Sequence, residues 1–222
     1  MSSYCPPTGV ANGNPTAHPV YYSGKWTEVE ITLAGSDVLD AGTEVNDELP
    51  ENTAFLSQVT NNQGETENGV VQTHPGFKEA GEGGILDFSQ DGKDFSNANF
   101  KTYNEILRIE VLFPRTISGM ITVQNKAPSK GTWLTPIAIL VHHGSFNLYD
   151  YNTTASVAVE RLAEDGNAGP LLEEFGSSDG SVFSGLVYGP GDGPIPPQAT
   201  GELEFILNET FSREPLYVSY IT

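Results

Sequence analysis

Cysteine is nearly absent: Cys5 is the only one in 222 residues. No internal disulfide can therefore staple the fold, and any disulfide joins two chains. Basic residues are scarce as well, with 10 Lys and Arg against 29 Asp and Glu, a formal charge of −19. Phosphate backbones and anionic leaflets are held by Lys and Arg clusters, so this balance excludes nucleic acid and membrane surfaces as partners. No apolar run approaches the ~18 residues of a membrane span, which argues against insertion. The opening Met1-Ser-Ser-Tyr-Cys-Pro-Pro7 has neither the basic start nor the apolar stretch of a secretory signal. The expectation is either a cytoplasmic chain or one whose export signal is not part of this sequence.

What is abundant is turn chemistry. The 24 Gly and 15 Pro exceed a combined background of roughly 12%, which suits a turn-rich β protein and opposes a helical bundle. Strand patterns follow. Val29, Ile31 and Leu33 alternate with Glu28, Glu30 and Thr32, and Leu107, Ile109, Val111 and Phe113 alternate with Arg108, Glu110 and Leu112 before Pro114 closes that run. Residues 117–123 and 135–142 read as further strands, the second so apolar that a central position is expected. Leu203, Phe205 and Leu207 alternate with Glu202, Glu204 and Ile206, and residues 216–221 form the last strand, with Leu216, Val218 and Tyr220 on one side. Helical spacing is confined to Val157, Val159, Leu162 and Ala163, started near Ser156 and stopped at Asp165-Gly166, and to a second short piece from Pro170 through Phe175. Two polar stretches, roughly 36–104 and 177–199, are too long for structureless loops in a compact domain, so short strands, turns or bound ions are expected inside them. With no internal repeat and no linker, residues 1–222 read as one all-β domain: an antiparallel sandwich or barrel with one or two short helices in its connections.

Residues 26–77 contain no Lys or Arg, yet hold ten carboxylates, more than half of the net charge. The densest part is Gly35-Ser-Asp-Val-Leu-Asp-Ala-Gly-Thr-Glu-Val-Asn-Asp-Glu48. Ca²⁺ takes six to eight oxygen ligands at about 2.3–2.6 Å. Asp37, Asp40, Glu44 and Asp47, on a turn opened by Gly42, are candidates to converge on such an ion and relieve their mutual repulsion. The spacing is not that of an EF-hand loop. The competing reading is a solvated acidic face that keeps the protein in solution.

Leu39-Asp-Ala-Gly-Thr-Glu44 resembles the Asp-Ala-Gly-Thr-acid signature of the spondin domain, a calcium-binding module of F-spondin and of many bacterial extracellular proteins. The resemblance extends to Thr132-Trp-Leu-Thr-Pro-Ile-Ala-Ile-Leu-Val-His-His-Gly-Ser-Phe146, Leu162-Ala-Glu-Asp-Gly-Asn167, Ala11-Asn-Gly-Asn-Pro15 and Asn68-Gly-Val-Val-Gln-Thr-His-Pro-Gly-Phe77. The order is exchanged: residues 1–113 resemble the C-terminal part of the family and 117–222 its N-terminal part. The chain thus looks like a circularly permuted spondin domain, its former ends joined across residues 113–117 in a short turn between strands expected to be neighbours. The resemblance implies a C2-like β-sandwich that binds Ca²⁺ through Asp40 and Glu44. The family's third carboxylate comes from a loop that corresponds to residues 1–10, which hold no Asp or Glu. Asp37, Asp47, a carbonyl or another chain would have to take its place. It further implies an extracellular or cell-surface setting and a non-enzymatic role in adhesion, matrix or surface assembly, with a protein or glycan partner or with copies of itself.

Two alternatives stay open. A filament or sheath subunit would pair an end segment with a neighbour's sheet edge, since both chain ends fall at one strand boundary. A metal-dependent hydrolase would use His74 or His142 with the acidic loop. Gly176-Ser-Ser-Asp-Gly180 fits the nucleophile-elbow pattern, but a helical pattern precedes it where a strand is needed, so a turn is expected. The four histidines show no spacing that predicts a shared zinc ion, and His142 and His143, adjacent at a strand end, are expected to point to opposite faces.

Overall fold

A computed structural model of the chain describes residues 17–22, 25–26, 28–43, 48, 69–90, 93–115, 118–144, 146–207 and 215–222. Two antiparallel sheets carry the fold. One has the order β11 (Ser181–Val187), β10 (Ile137–His142), β13 (Leu216–Ile221), β1 (His18–Tyr22), β2 (Lys25–Trp26). The other runs β12 (Thr200–Ile206), β9 (Ser118–Asn125), β8 (Leu107–Arg115), β3 (Val29–Leu33). Two small ladders, β4 (Leu39–Asp40) with β5 (Gln72–Thr73) and β6 (Ser89–Gln90) with β7 (Lys93–Asp94), lie within the first long polar stretch.

Alternation places the core. Ile109 and Val111 of β8 and Ile121 and Val123 of β9 pack with Ile137, Ile139 and Val141 of β10 and with Leu216 and Val218 of β13 in one apolar cluster. Each side chain of this size buried from water contributes about 1.5–3 kcal/mol, offset by the entropy of ordering it. The other face of β10 is covered too. Ala138 and Leu140 pack with Ala158, Val159 and Leu162 of α1 (Val157–Asp165) and with Leu171 and Phe175 of α2 (Gly169–Gly176). All six residues of β10 are therefore buried, which is why it reads as an unbroken apolar run. β13 is likewise buried on both sides: Tyr217 packs with Ala17 and stacks on His142, and the Ser219 hydroxyl lies 3.0 Å from His142 Nε2.

The helices form as their end residues dictate. The Ser156 side chain accepts the Val159 N–H at the start of α1, and Gly166, at φ 65°, closes it. Pro170 sits in the first turn of α2. β8 does not stop at Pro114 but runs to Arg115, with its pairing to β9 slipped between Leu112 and Arg115. A proline cannot donate to the ladder, so the strand passes it through an irregularity rather than ending. β8 and β9 are neighbours joined by two residues. β1 and β13 are also antiparallel neighbours, His18 opposite Val218. Among the described residues no helix is long and apolar enough to cross a membrane.

Candidate metal centre

The acidic loop is anchored at both ends by backbone. Gly35 begins a 3₁₀ turn, Gly35–Asp37, and its N–H donates to the Tyr103 carbonyl (3.0 Å). A side chain at Gly35 would collide with the Phe100 carbonyl, so glycine is required there for space. The chain then enters β4, where Leu39 lies opposite Thr73 and Asp40 opposite Gln72. The His74 N–H donates to the Val38 carbonyl (2.9 Å), and the Gly69 N–H to the Gly42 carbonyl (3.0 Å). Gly42 turns with φ 69°, a conformation that glycine takes without strain.

Asp40 is 8% exposed and, among the described residues, the sole buried Asp or Glu. Its Oδ1 accepts the Gly42 N–H at 2.7 Å, and its Oδ2 lies 3.9 Å from His74 Nε2. His74 Nδ1 accepts the Gly76 N–H at 2.9 Å, so the ring proton sits on Nε2, facing the carboxylate. The ring meets Phe100 and Phe77 edge-to-face, with centroids 5.0 Å and 5.8 Å away. Burial lowers the pKa of His74 below its ordinary 6.5; Asp40 and Glu48 pull it back up and Lys101 pushes it further down. At neutral pH the imidazole is therefore neutral and brings no counter-charge to Asp40.

Asp37 is exposed and accepts from the Ser36 hydroxyl at 3.1 Å. Asp37 and Asp40 line one cleft. Glu44 and Asp47 lie outside the described residues, so the expectation that they join Asp40 is carried by sequence alone. Among the described residues, no group of three or more His, Cys, Asp or Glu is placed to hold a metal ion. In chemistry the site suits a hard, oxygen-seeking cation: a buried carboxylate, fixed at one oxygen, beside a nitrogen already carrying its proton.

His74, one of the two histidines the sequence offers to the acidic loop, is brought to Asp40 by β4–β5 pairing, whereas Glu48 carries no sequence signal of its own. Glu48 is one acid among ten, yet its Oε1 accepts the Lys78 N–H (2.8 Å) and its Oε2 the Ile85 N–H (3.0 Å), tying the acidic loop to a segment 30–37 residues away. Neither His142 nor His143 gathers here. His142 Nε2 lies 3.0 Å from the Ser219 hydroxyl and its ring is set among Phe146, Phe175 and Tyr217, while His143 Nδ1 lies 3.2 Å from the Pro215 carbonyl. At 176–180 a helix precedes and a strand follows, the reverse of a nucleophile elbow, and the Ser178 hydroxyl donates to the Phe175 carbonyl.

Fold and site together define an all-β protein of two antiparallel sheets, with two short helices in its connections and a buried carboxylate at the bend of an acidic loop. No family model, no curated protein and no solved structure matches the chain.

Proposed function

We propose that the chain is a calcium-binding, non-enzymatic β-sandwich of the spondin type, circularly permuted, acting outside the cell in adhesion, matrix or surface assembly. The observation that carries this reading is Asp40. The first acid of the Asp-Ala-Gly-Thr-Glu signature is the buried carboxylate at the bend, held by the N–H of the signature's own glycine. A buried carboxylate with a neutral imidazole for neighbour favours a cation strongly. Asp40 and Glu44 would hold the ion, and Asp37, exposed and already bonded to Ser36, is the weaker third candidate. The ion supplies charge neutralisation and a cross-link, so it would fix the acidic loop against the sandwich. The topology accords with permutation: the junction at 113–117 falls between paired neighbours, and β13 leaves its sheet beside the start of β1.

Calcium that binds only the folded chain stabilises it by about 2.7 kcal/mol at a hundred times its Kd. For a chain of this size that is a rise of roughly 5–10 °C in Tm. EDTA should lower the melting temperature by that amount and added Ca²⁺ restore it, with Asp40→Asn and Glu44→Gln each removing the response. A melting curve indifferent to both EDTA and Ca²⁺ would end the calcium reading.

A further inference from the structure

The acidic loop forms one wall of a cleft of about 650 Å³, a volume within the range of small-molecule sites. It opens where the two sheets part, between β3 and the end of β13, and α1 closes its far side through Val159 and Ala163. Ile31, Leu33, Val38, Val71 and Ile221 make its lining mostly apolar. Three tyrosines border it: Tyr220 is buried, Tyr149 is half-buried, and Tyr151 stands at the surface with 51% exposure.

We propose that this cleft binds small organic ammonium ions that carry an apolar body, with Asp37 as the counter-ion and the tyrosine faces as the aromatic wall. The charge of the lining selects the class. Asp37 and Asp40 contribute carboxylates, and among the described residues neither Lys nor Arg borders the cleft. Among the described residues the one histidine at the cleft, His18, has its pKa lowered by burial to about 4, so it is neutral at pH 7. Anions are therefore repelled. Asp37 borders the same cleft as Tyr149, Tyr151 and Tyr220. A carboxylate at the edge of an apolar, tyrosine-bordered cleft pairs with an ammonium head while the cleft takes the ligand's body. A bare metal ion leaves that apolar surface unused.

The reading goes beyond calcium binding and is tested apart from it, by calorimetric titration of the full chain in EDTA at pH 7. The probes are 4-phenylbutylamine, 4-phenylbutan-1-ol and 4-phenylbutyrate, which share a skeleton and differ in head-group charge. The amine should bind about tenfold more tightly than the alcohol, the gain of one charge-assisted hydrogen bond, and the butyrate should not bind. Asp37→Asn should bring the amine to the level of the alcohol. Tyr151→Ala should weaken the amine about threefold, the size of an exposed cation–π contact. Ala163→Trp, at an exposed helix position bordering the cleft, should abolish binding of both neutral and cationic probes. Equal affinities for amine and alcohol in the wild type overturn the proposal. So does an amine that binds Ala163→Trp as well as it binds the wild type, because the net negative surface would then be the attractor. Asp37→Asn alters an exposed side chain and decides the matter alone should Ala163→Trp fail to fold.

Discussion

Glu48 shows how one side chain can fix two distant pieces of backbone. Its two oxygens take the N–H groups of Lys78 and Ile85, the second at the start of the 3₁₀ turn Ile85–Asp87. Gly84 makes this approach feasible. It has ordinary extended backbone angles, so its requirement is one of space: a Cβ there would strike Glu48 Oε2 and come within 2.9 Å of Lys78 Cβ. Gly84→Ala should therefore cost about 1–3 kcal/mol in urea denaturation, as overpacking at a fixed contact does. In a Glu48→Ala background the obstructing carboxylate is gone, and the same substitution should cost less than half as much. The two changes are thus coupled, and strictly additive losses would show that Glu48 does not hold this loop. None of this is legible in the sequence. Ten acids share the stretch 26–77, and nothing in local spacing marks the one that reaches across thirty residues. The bend at Asp40 could be read because it is local: the acid, the glycine two places on and the turn between them form one short motif. Sequence offers His74 and His142 equally to the acidic loop; it is the pairing of two-residue strands that brings His74, and not His142, beside Asp40.

At the scale of elements, what could be read is what short-range chemistry decides. Both helices lie where Ser156, Gly166 and Pro170 place them, because caps and turn formers act within a few residues. Ser156→Ala removes the acceptor of the Val159 N–H (3.3 Å) and should cost about 1 kcal/mol, seen as a fall in Tm of roughly 2–4 °C. An unchanged Tm would mean that packing of α1 on the sheet, rather than its cap, sets its stability. The six strands with clear alternation or apolar runs are present. The elements that went unread lack such a signal. β1 contains Pro19 and pairs with β13 through a shift in register between Pro19 and Tyr21, so its pattern is broken where a ladder bond cannot form. β11, Ser-Val-Phe-Ser-Gly-Leu-Val, is held by β10 rather than by its own composition; it lies within the polar stretch 177–199, where short strands were expected without being located. β4 to β7 are two residues each, below any detectable period. β13 is paired on both sides, by β10 and β1, so among the described residues the edges of that sheet are β11 and β2. A neighbour adding a strand to that sheet would do so there, and not at β13.

The whole molecule carries −19 at neutral pH, and acidification should at first relieve that self-repulsion. His18 works against the relief. It is largely buried, its ring stacks on Tyr220 at 6.1 Å, and burial lowers its pKa from 6.5 to about 4. In the unfolded chain the imidazole takes a proton as the pH falls through 6.5, whereas in the folded chain it resists until about 4. Between these values the unfolded state binds more protons, so His18 contributes stability at neutral pH that is lost as the pH drops toward 4 and changes little below it. The full effect is about 3 kcal/mol at most, and partial exposure of the ring reduces it. His74 and His142 are shifted in the same direction, so the wild type alone does not isolate His18. The difference between wild type and His18→Gln does, because the other histidines and the carboxylates cancel. That difference, from urea denaturation at pH 7, 6, 5 and 4.5, should fall steadily by about 2 kcal/mol toward the acid end, with the variant the less pH-sensitive of the two. Parallel stability curves would mean that the folded chain lets His18 charge as readily as the unfolded one. The end of the sandwich where His18, Tyr220 and the acidic loop meet would then be wetter than its packing indicates.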